Sequence, residues 1–213
     1  MIQLLSDGRI ELFVLILVAL VMSLTLHEFG HALSAKLYGD DTAQKMGRLT
    51  LNPIPHIDPM GLLMVVFLGF GYAKPVPTDP RNFSSRSGDV VVSAAGPAMN
   101  LLLAIVAINL YLLGLQWGVK SFEDPGARFF FIYLAQVNLL LMVFNLIPLG
   151  ALDGHYILPY FLPDGLAQRY RYYNARYGNF LLLGLVALSL LGLPIFQYVF
   201  AFSERLIPYI VFV

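Results

Sequence analysis

Apolar residues run almost unbroken from Ile10 to Leu26, interrupted only by Glu11, Ser23 and Thr25. A helix that is apolar on every side has no polar stripe to turn toward water, so it belongs in lipid or deep in a core. A membrane span needs about 20 mainly apolar residues. The pattern predicts such segments over about Ile10–Tyr38, Val90–Gly114 and Arg128–Ile147, with a shorter fourth over about Asn179–Leu193. Beyond Pro194 a last apolar segment runs to Val213, broken by Glu204 and Arg205. Two further runs, Met60–Tyr72 and Tyr156–Leu162, are too short to span. Both read as re-entrant segments, which membranes tolerate only where protein or a cavity covers the backbone. In the first of them, Met64-Val65-Val66-Phe67-Leu68 is rich in strand formers, and Gly69 and Gly71 permit a turn. The expected fold is an all-α polytopic membrane protein with about five to six transmembrane helices and a short re-entrant β-like segment near residues 60–77.

Composition agrees. Of 213 residues, 58% are hydrophobic and only 12% charged, against about 45–50% and about 25% in soluble domains. The net charge is zero, which gives a polyanionic partner no handle. The absence of cysteine excludes disulfides, iron–sulfur clusters and thiolate zinc sites. Any metal must be held by His, Asp or Glu. Membrane helices take up most of the chain, so one transmembrane domain over residues 1–213 is expected, with a core at about 10–160 and peripheral C-terminal helices at about 178–213. No internal repeat or low-complexity linker is visible. Ala32-Leu33-Ser34-Ala35 faintly resembles a signal-peptidase site, but Asp7, Arg9 and Glu11 replace a basic n-region and the apolar run is too long.

Basic residues set the orientation. Lys36, Lys45, Arg48, Lys74, Arg81 and Arg86 lie between the first two spans, and Arg169, Arg171 and Arg176 between the third and fourth. Only Arg9, Lys120 and Arg128 lie on the other side. Residues 36–89 and 163–177 are therefore expected in the cytoplasm, with the N-terminus outside. The stretch Tyr170–Tyr177 mixes tyrosines with arginines and reads as an interfacial aromatic belt, not as a surface for single-stranded nucleic acid. Asn82-Phe83-Ser84 matches a glycosylation sequon but falls on the predicted cytoplasmic side, so it is read as chance.

The first span carries the chemistry. His27 and His31 are four residues apart, so a helix puts both on one face. Two imidazole nitrogens can then reach one zinc ion at about 2.0–2.1 Å. Glu28 is angled away from their shared metal, but it can reach a water beside it; this is the HExxH arrangement of metalloproteases. At about 1.5 Å per residue, His27 lies about 25 Å along the helix from Ile10, still inside a core of about 30 Å. Ionisable groups at that depth cost several kcal/mol and mark function by default. A catalytic zinc has three protein ligands and an open position. The third ligand would come from His56, Asp58, Asp153, His155 or another loop acid. Asp153 follows Pro148, which should end the third span, and Gly150 and Gly154 let the chain fold back. An Asp in so apolar a stretch needs a partner; a metal is one, and capping the helix that follows is another.

Taken together, these motifs resemble the site-2 proteases, intramembrane zinc metalloproteases. His27-Glu28-Phe29-Gly30-His31 matches the family's first motif and Asn145-x-x-Pro148-x-x-x-x-Asp153-Gly154 its second. Ala95-Gly96-Pro97-Ala98-Met99-Asn100 resembles a Gly-Pro-x-x-Asn element of the second core helix. Leu51-Asn52-Pro53, His56-Ile57-Asp58-Pro59-x-Gly61 and Gly71-Tyr72-Ala73-Lys74-Pro75-Val76-Pro77 resemble the compact bacterial and archaeal branch without PDZ or CBS domains. The resemblance spans about residues 20–160. It implies one zinc ion held by His27, His31 and Asp153, with Glu28 as general base and acid and Asn145 near the oxyanion. His155 departs from the pattern, standing where that branch often has a second glycine after the ligand Asp-Gly.

The implied activity is hydrolysis of peptide bonds within or near transmembrane segments. The partners would be membrane-anchored proteins, a transcriptional regulator among them, in the cytoplasmic membrane of a bacterium or archaeon. The segment around Val65 and Phe67 could pair with an unwound substrate strand, or only pack against the core helices. Asn100, His56, Asp58 and His155 are candidates for supporting or substrate-binding roles. The competing reading is a non-proteolytic zinc protein, either a carrier or a silent binder of membrane proteins. Carriers usually show paired polar sites in repeated halves, and the chain has no such repeat.

Overall fold

A computed structural model describes residues 1–69, 71–85 and 87–213, with the backbone alone at Leu68. Phe70 and Arg86, one of the residues used for orientation, lie outside the described residues. Among the described residues every regular element is helical and there is no strand. The helices are α1 (Ile2–Ser6), α2 (Ile10–Leu37), α3 (Thr42–Lys45), α4 (Pro59–Leu68), α5 (Gly88–Gln116), α6 (Pro125–Asn145), α7 (Gly154–Ile157), α8 (Asp164–Tyr173), α9 (Asn179–Leu190), α10 (Ile195–Glu204) and α11 (Ile207–Ile210).

Three helices, α2, α5 and α6, are long and apolar enough to cross a membrane, or four spans if the pair over Asp164–Leu190 and Ile195–Ile210, bent by 90°, counts as one. The expected all-α polytopic fold is found, with three or four such helices among the described residues where five to six spans were expected. The predicted span at Asn179–Leu193 is only 12 residues as α9; it continues from α8 through a π-helical turn at Asn174–Gly178.

The β-like segment is also corrected. Met64 to Leu68 lie in α4, a helix. Asp58 caps it, its Oδ1 accepting from Met60 N–H and Gly61 N–H at 2.9 Å each. Pro59 takes the first helical position, and Gly69 ends the helix at φ 84°. Start and stop signals at both ends outweigh the weak strand preference of the residues between them. The same cap recurs at α6, where Asp124 Oδ1 accepts from Gly126 and Ala127 ahead of the first span-forming residues.

Packing follows from small residues. Ala19 on α2, Ala104 and Ala107 on α5 and Ala135 on α6 are buried together with Leu134 and Leu139. Without water to drive helices together in lipid, close backbone approach has to supply the attraction. One close approach is at Gly30 of α2: a Cβ there would meet Met99 Cγ at 2.6 Å and the Ala95 carbonyl at 2.8 Å on α5. The C-terminus is pinned to the same core. Asn109 of α5 donates to the Ile210 carbonyl at 2.7 Å and accepts from Phe212 N–H at 2.8 Å. By contrast Phe180, Leu183 and Leu191 are largely exposed, as lipid-facing side chains should be.

Candidate metal centre

The turn of α2 at His27–His31 faces α5 across Gly96. A Cβ on Gly96 would press on both imidazoles, reaching His27 Cε1 at 2.7 Å and His31 Cε1 at 2.6 Å. Glycine at this position is what lets α5 lie directly against the two rings. One residue on, Pro97 interrupts the ladder of α5, since it has no amide hydrogen for the turn before it. Asn100 lies one turn beyond Gly96, on the same face. It reaches His27, whose Nδ1 lies 2.6 Å from Asn100 Oδ1. His31 Nδ1 lies 2.7 Å from the Val92 carbonyl.

The third group comes from the end of α6. After Asn145 the chain turns through Gly150, at φ 62°. Gly154 then packs against the backbone of Leu146 and Ile147, too closely for any Cβ. This fold-back carries the Asp153 carboxylate over the end of α6 to α2. Its Oδ2 lies 3.2 Å from His27 Nε2 and its Oδ1 3.4 Å from His31 Nε2. Asp153 stands at the N-cap of α7 but its side chain makes no capping bond, so capping does not explain it. His27, His31 and Asp153 together offer one ligand atom each, all within 4.8 Å of one another.

The donor set fits a cation. Both Nδ1 atoms face carbonyl-type oxygens, which only accept, so both must carry the hydrogen. In the neutral rings that leaves lone pairs on both Nε2 atoms, which face each other at 3.0 Å and face the carboxylate. Asp153 Oδ2 is buried without a hydrogen-bond partner. Three acceptors turned inward on one point repel one another unless a positive charge lies among them. Ligands at about 2.0–2.2 Å on a tetrahedral zinc stand about 3.3 Å apart, close to the 3.0, 3.2 and 3.4 Å found here.

Glu28 is buried beside this group, and its Oε2 accepts from Val76 N–H at 2.8 Å. Val76 lies in a non-helical strap over residues 71–79. Arg48, itself buried, clamps the strap by donating to the Pro75 carbonyl at 3.0 Å and to the Lys74 carbonyl. The strap's Lys74 N–H donates to the His56 carbonyl at 2.9 Å. Met64 to Leu68 thus offer no strand edge, and the strap's own amides are partly taken. Val65 and Phe67 are helical, the amides of Lys74 and Val76 are engaged, and Pro75 and Pro77 have none to offer.

The remaining candidates fall around this centre. His56 is buried in the strap's support, its Nε2 at 2.9 Å from the Thr50 carbonyl, and Asp58 is the cap of α4. Val65 is buried against Gly71, while Phe67 is exposed. His155 Nδ1 lies 3.3 Å from the Tyr170 hydroxyl, which donates to the Pro148 carbonyl. Asn145 donates to the Leu141 carbonyl of its own helix at 3.0 Å. Sequence reasoning gave no site role to Asn138, Ser23 or Arg48. For the first two the signal was available: each is a polar residue in an apolar span, the same feature that drew attention to His27.

Comparison with known proteins gives the family. The description "Peptidase family M50" matches residues 15–123 and 116–185. The chain is 42% identical over 158 residues to the "Putative zinc metalloprotease YwhC" of Bacillus subtilis (strain 168), covering 72% of each chain. It is 35% identical over 164 residues to the "Putative zinc metalloprotease Rip2" of Mycolicibacterium smegmatis, covering 73% of this chain and 60% of that one. The Rip2 protein of Mycobacterium tuberculosis (strain H37Rv) is 32% identical over 158 residues, covering 71% of this chain and 59% of its own length. No solved structure matches. His27, His31 and Asp153 all lie inside the matched residues, and the chain belongs to peptidase family M50, the membrane zinc metalloproteases of site-2 type.

Proposed function

We propose that the protein hydrolyses peptide bonds within or near the transmembrane segments of membrane-anchored proteins, holding one zinc ion with His27, His31 and Asp153. The observation that carries this reading is the inward-facing set of three acceptors with a buried carboxylate, Glu28, on the same helix turn. When bound, zinc supplies a Lewis acid that polarises the scissile carbonyl and lowers the pKa of water toward about 7.

The chain's own groups do the rest. Glu28 takes a proton from the attacking water and later passes it to the leaving amine. Val76 N–H holds Oε2, and Oε1 accepts no hydrogen bond from the described residues, so that oxygen is the one that moves the proton. Asn145 helps hold the oxyanion once its amide turns from the Leu141 carbonyl; such a donor is worth about 2.7–4 kcal/mol elsewhere. The polar groups sit within a span because the bond to be cut is there too. The chain works as one domain over residues 1–213 in the cytoplasmic membrane of a bacterium or archaeon, with its centre near the cytoplasmic side, on substrates that include membrane-anchored transcriptional regulators.

The test is cleavage of a single-span reporter by purified protein in detergent. Wild type should cut within the span. Glu28→Gln should bind zinc equally well and turn over at least about a thousandfold more slowly, the upper part of the range for lost acid–base catalysis. Equal cleavage by both would overturn the role of Glu28, and zinc binding without cleavage of any span would favour a carrier or a silent binder.

A further inference from the structure

Behind His27, on the side away from Asp153, lies a chain of polar side chains that crosses all three core helices. Ser23 of α2, Asn100 of α5 and Asn138 of α6 are each 0% exposed, so no water can substitute for any partner in the chain. Asn138 Nδ2 donates to the Leu134 carbonyl and to Ser23 Oγ, at 2.8 Å each. Ser23 Oγ–H donates in turn to the Ala19 carbonyl at 2.7 Å. Asn100 Nδ2 donates to Asn138 Oδ1 at 2.7 Å and to the Ser23 carbonyl at 3.3 Å. Asn100 Oδ1 then faces His27 Nδ1 at 2.6 Å.

This chain has one direction only. The Leu134, Ala19 and Ser23 carbonyls accept and cannot donate. Turning over the Asn138 amide would set its oxygen against the Leu134 carbonyl. Turning over the Asn100 amide would set its oxygen against both Asn138 Oδ1 and the Ser23 carbonyl. Each flip leaves buried groups unsatisfied, at about 1–3 kcal/mol per group. The Asn100 oxygen must therefore face His27, and the neutral His27 ring must carry its hydrogen on Nδ1.

We propose that Asn138 and Ser23 are positioning residues for the metal centre. By locking the Asn100 amide they fix the Nδ1–H tautomer of His27 and hold its bare Nε2 toward His31 and Asp153 before any metal arrives. The proposal deepens the reading given above and rests on His27 being a zinc ligand. It assigns to two residues without contact to the metal position a role that acts through a third. Partners that orient a ligating histidine typically change metal affinity by about 10–100-fold when lost.

The experiment uses the full chain in detergent, stripped of metal, with zinc affinity read by competition with a chromophoric chelator. Asn138→Leu should bind zinc about 10–100-fold more weakly, and Ser23→Ala more weakly by a smaller factor, since Leu134 still holds Asn138. In an Asn100→Ala background, Asn138→Leu should cause no further loss, because its route to His27 is already cut. A merely structural role would lower the melting temperature and weaken zinc by the same factor in both backgrounds; that result would overturn the proposal. Nitrogen-15 NMR of neutral His27 in the metal-free wild type requires no variant: a single Nδ1–H tautomer is expected, and an Nε2–H tautomer or a mixture would overturn it. His27→Ala and Asp153→Ala controls separate the two levels. Wild-type zinc affinity in those variants would sink the metal-site reading itself, whereas their loss of zinc beside an unaffected Asn138→Leu would sink only the relay.

Discussion

At the scale of single residues, the centre depends on one missing side chain as much as on those present. Gly96 is the floor on which both imidazoles lie. A methyl group there has nowhere to go, because its neighbours are two rings whose Nδ1 atoms are already bonded. Gly96→Ala must push His27 and His31 apart or push α5 away from α2. Zinc affinity should fall about 10–100-fold while the helical circular dichroism is unchanged, since alanine is the better helix former. Unchanged zinc affinity would mean that the rings can move freely, against the geometry described here.

At the scale of elements, the loop between α2 and α5 is held where it covers Glu28 by one acid. Asp40 is fully buried just beyond the end of α2, outside the span. It accepts from Thr42 N–H and hydroxyl, from Asp79 N–H and from the Asn82 amide. Burial by itself would raise its pKa, but these hydrogen bonds to the charged form outweigh it and bring the pKa down to about 2 from an ordinary 3.8. The sign follows: the folded state prefers the ionised form, so the stabilisation is complete above pH 3.8 and is lost as pH falls toward about 2. Asp40→Asn should lower the melting temperature at neutral pH, and its difference from wild type should shrink across that window. A difference independent of pH would show that the charge is not what is stabilised. The other end of the centre is tied in the same manner. Asn174, in the π-helical turn before α9, both accepts from Gly150 N–H at 2.8 Å and donates to the Gly150 carbonyl at 2.9 Å. The C-terminal helices thus grip the turn that presents Asp153.

At the scale of the whole molecule, the three spanning helices form one polar-cored bundle in an apolar shell. By the positive-inside rule, the basic residues of the α2–α5 connection and of α8 would place both on the cytoplasmic side proposed above. A chain with no cysteine is a clean background for testing this. Arg81→Cys, in the exposed α2–α5 connection, should react in intact cells only with a membrane-permeant maleimide. Trp117→Cys, just past the end of α5 and exposed, should react with an impermeant one. The reverse pattern would invert the assigned topology.

The sequence determined the class of the molecule and the chemistry it carries. Long apolar runs with two histidines and a carboxylate at helical spacing leave little other than a membrane metal site, because lipid penalises such groups unless they are used. Asn145 to Gly154 showed where the chain must turn back. Three features were decided only in three dimensions, and a fourth, the meeting of Asp153 with the histidines, was implied by the motif but took its geometry there. Asp153 joined His27 and His31 because a fold-back of α6 brought together groups more than a hundred positions apart. Met64 to Leu68 became helix because capping at both ends outweighed their strand preference. The C-terminal apolar runs became two helices meeting at 90°. The polar chain through Ser23, Asn100 and Asn138 appeared only once three helices had packed, since hydrogen bonds between distant helices leave no periodicity along the chain. Sequence spacing fixes what one helix presents on one face; which partner meets that face is settled by packing.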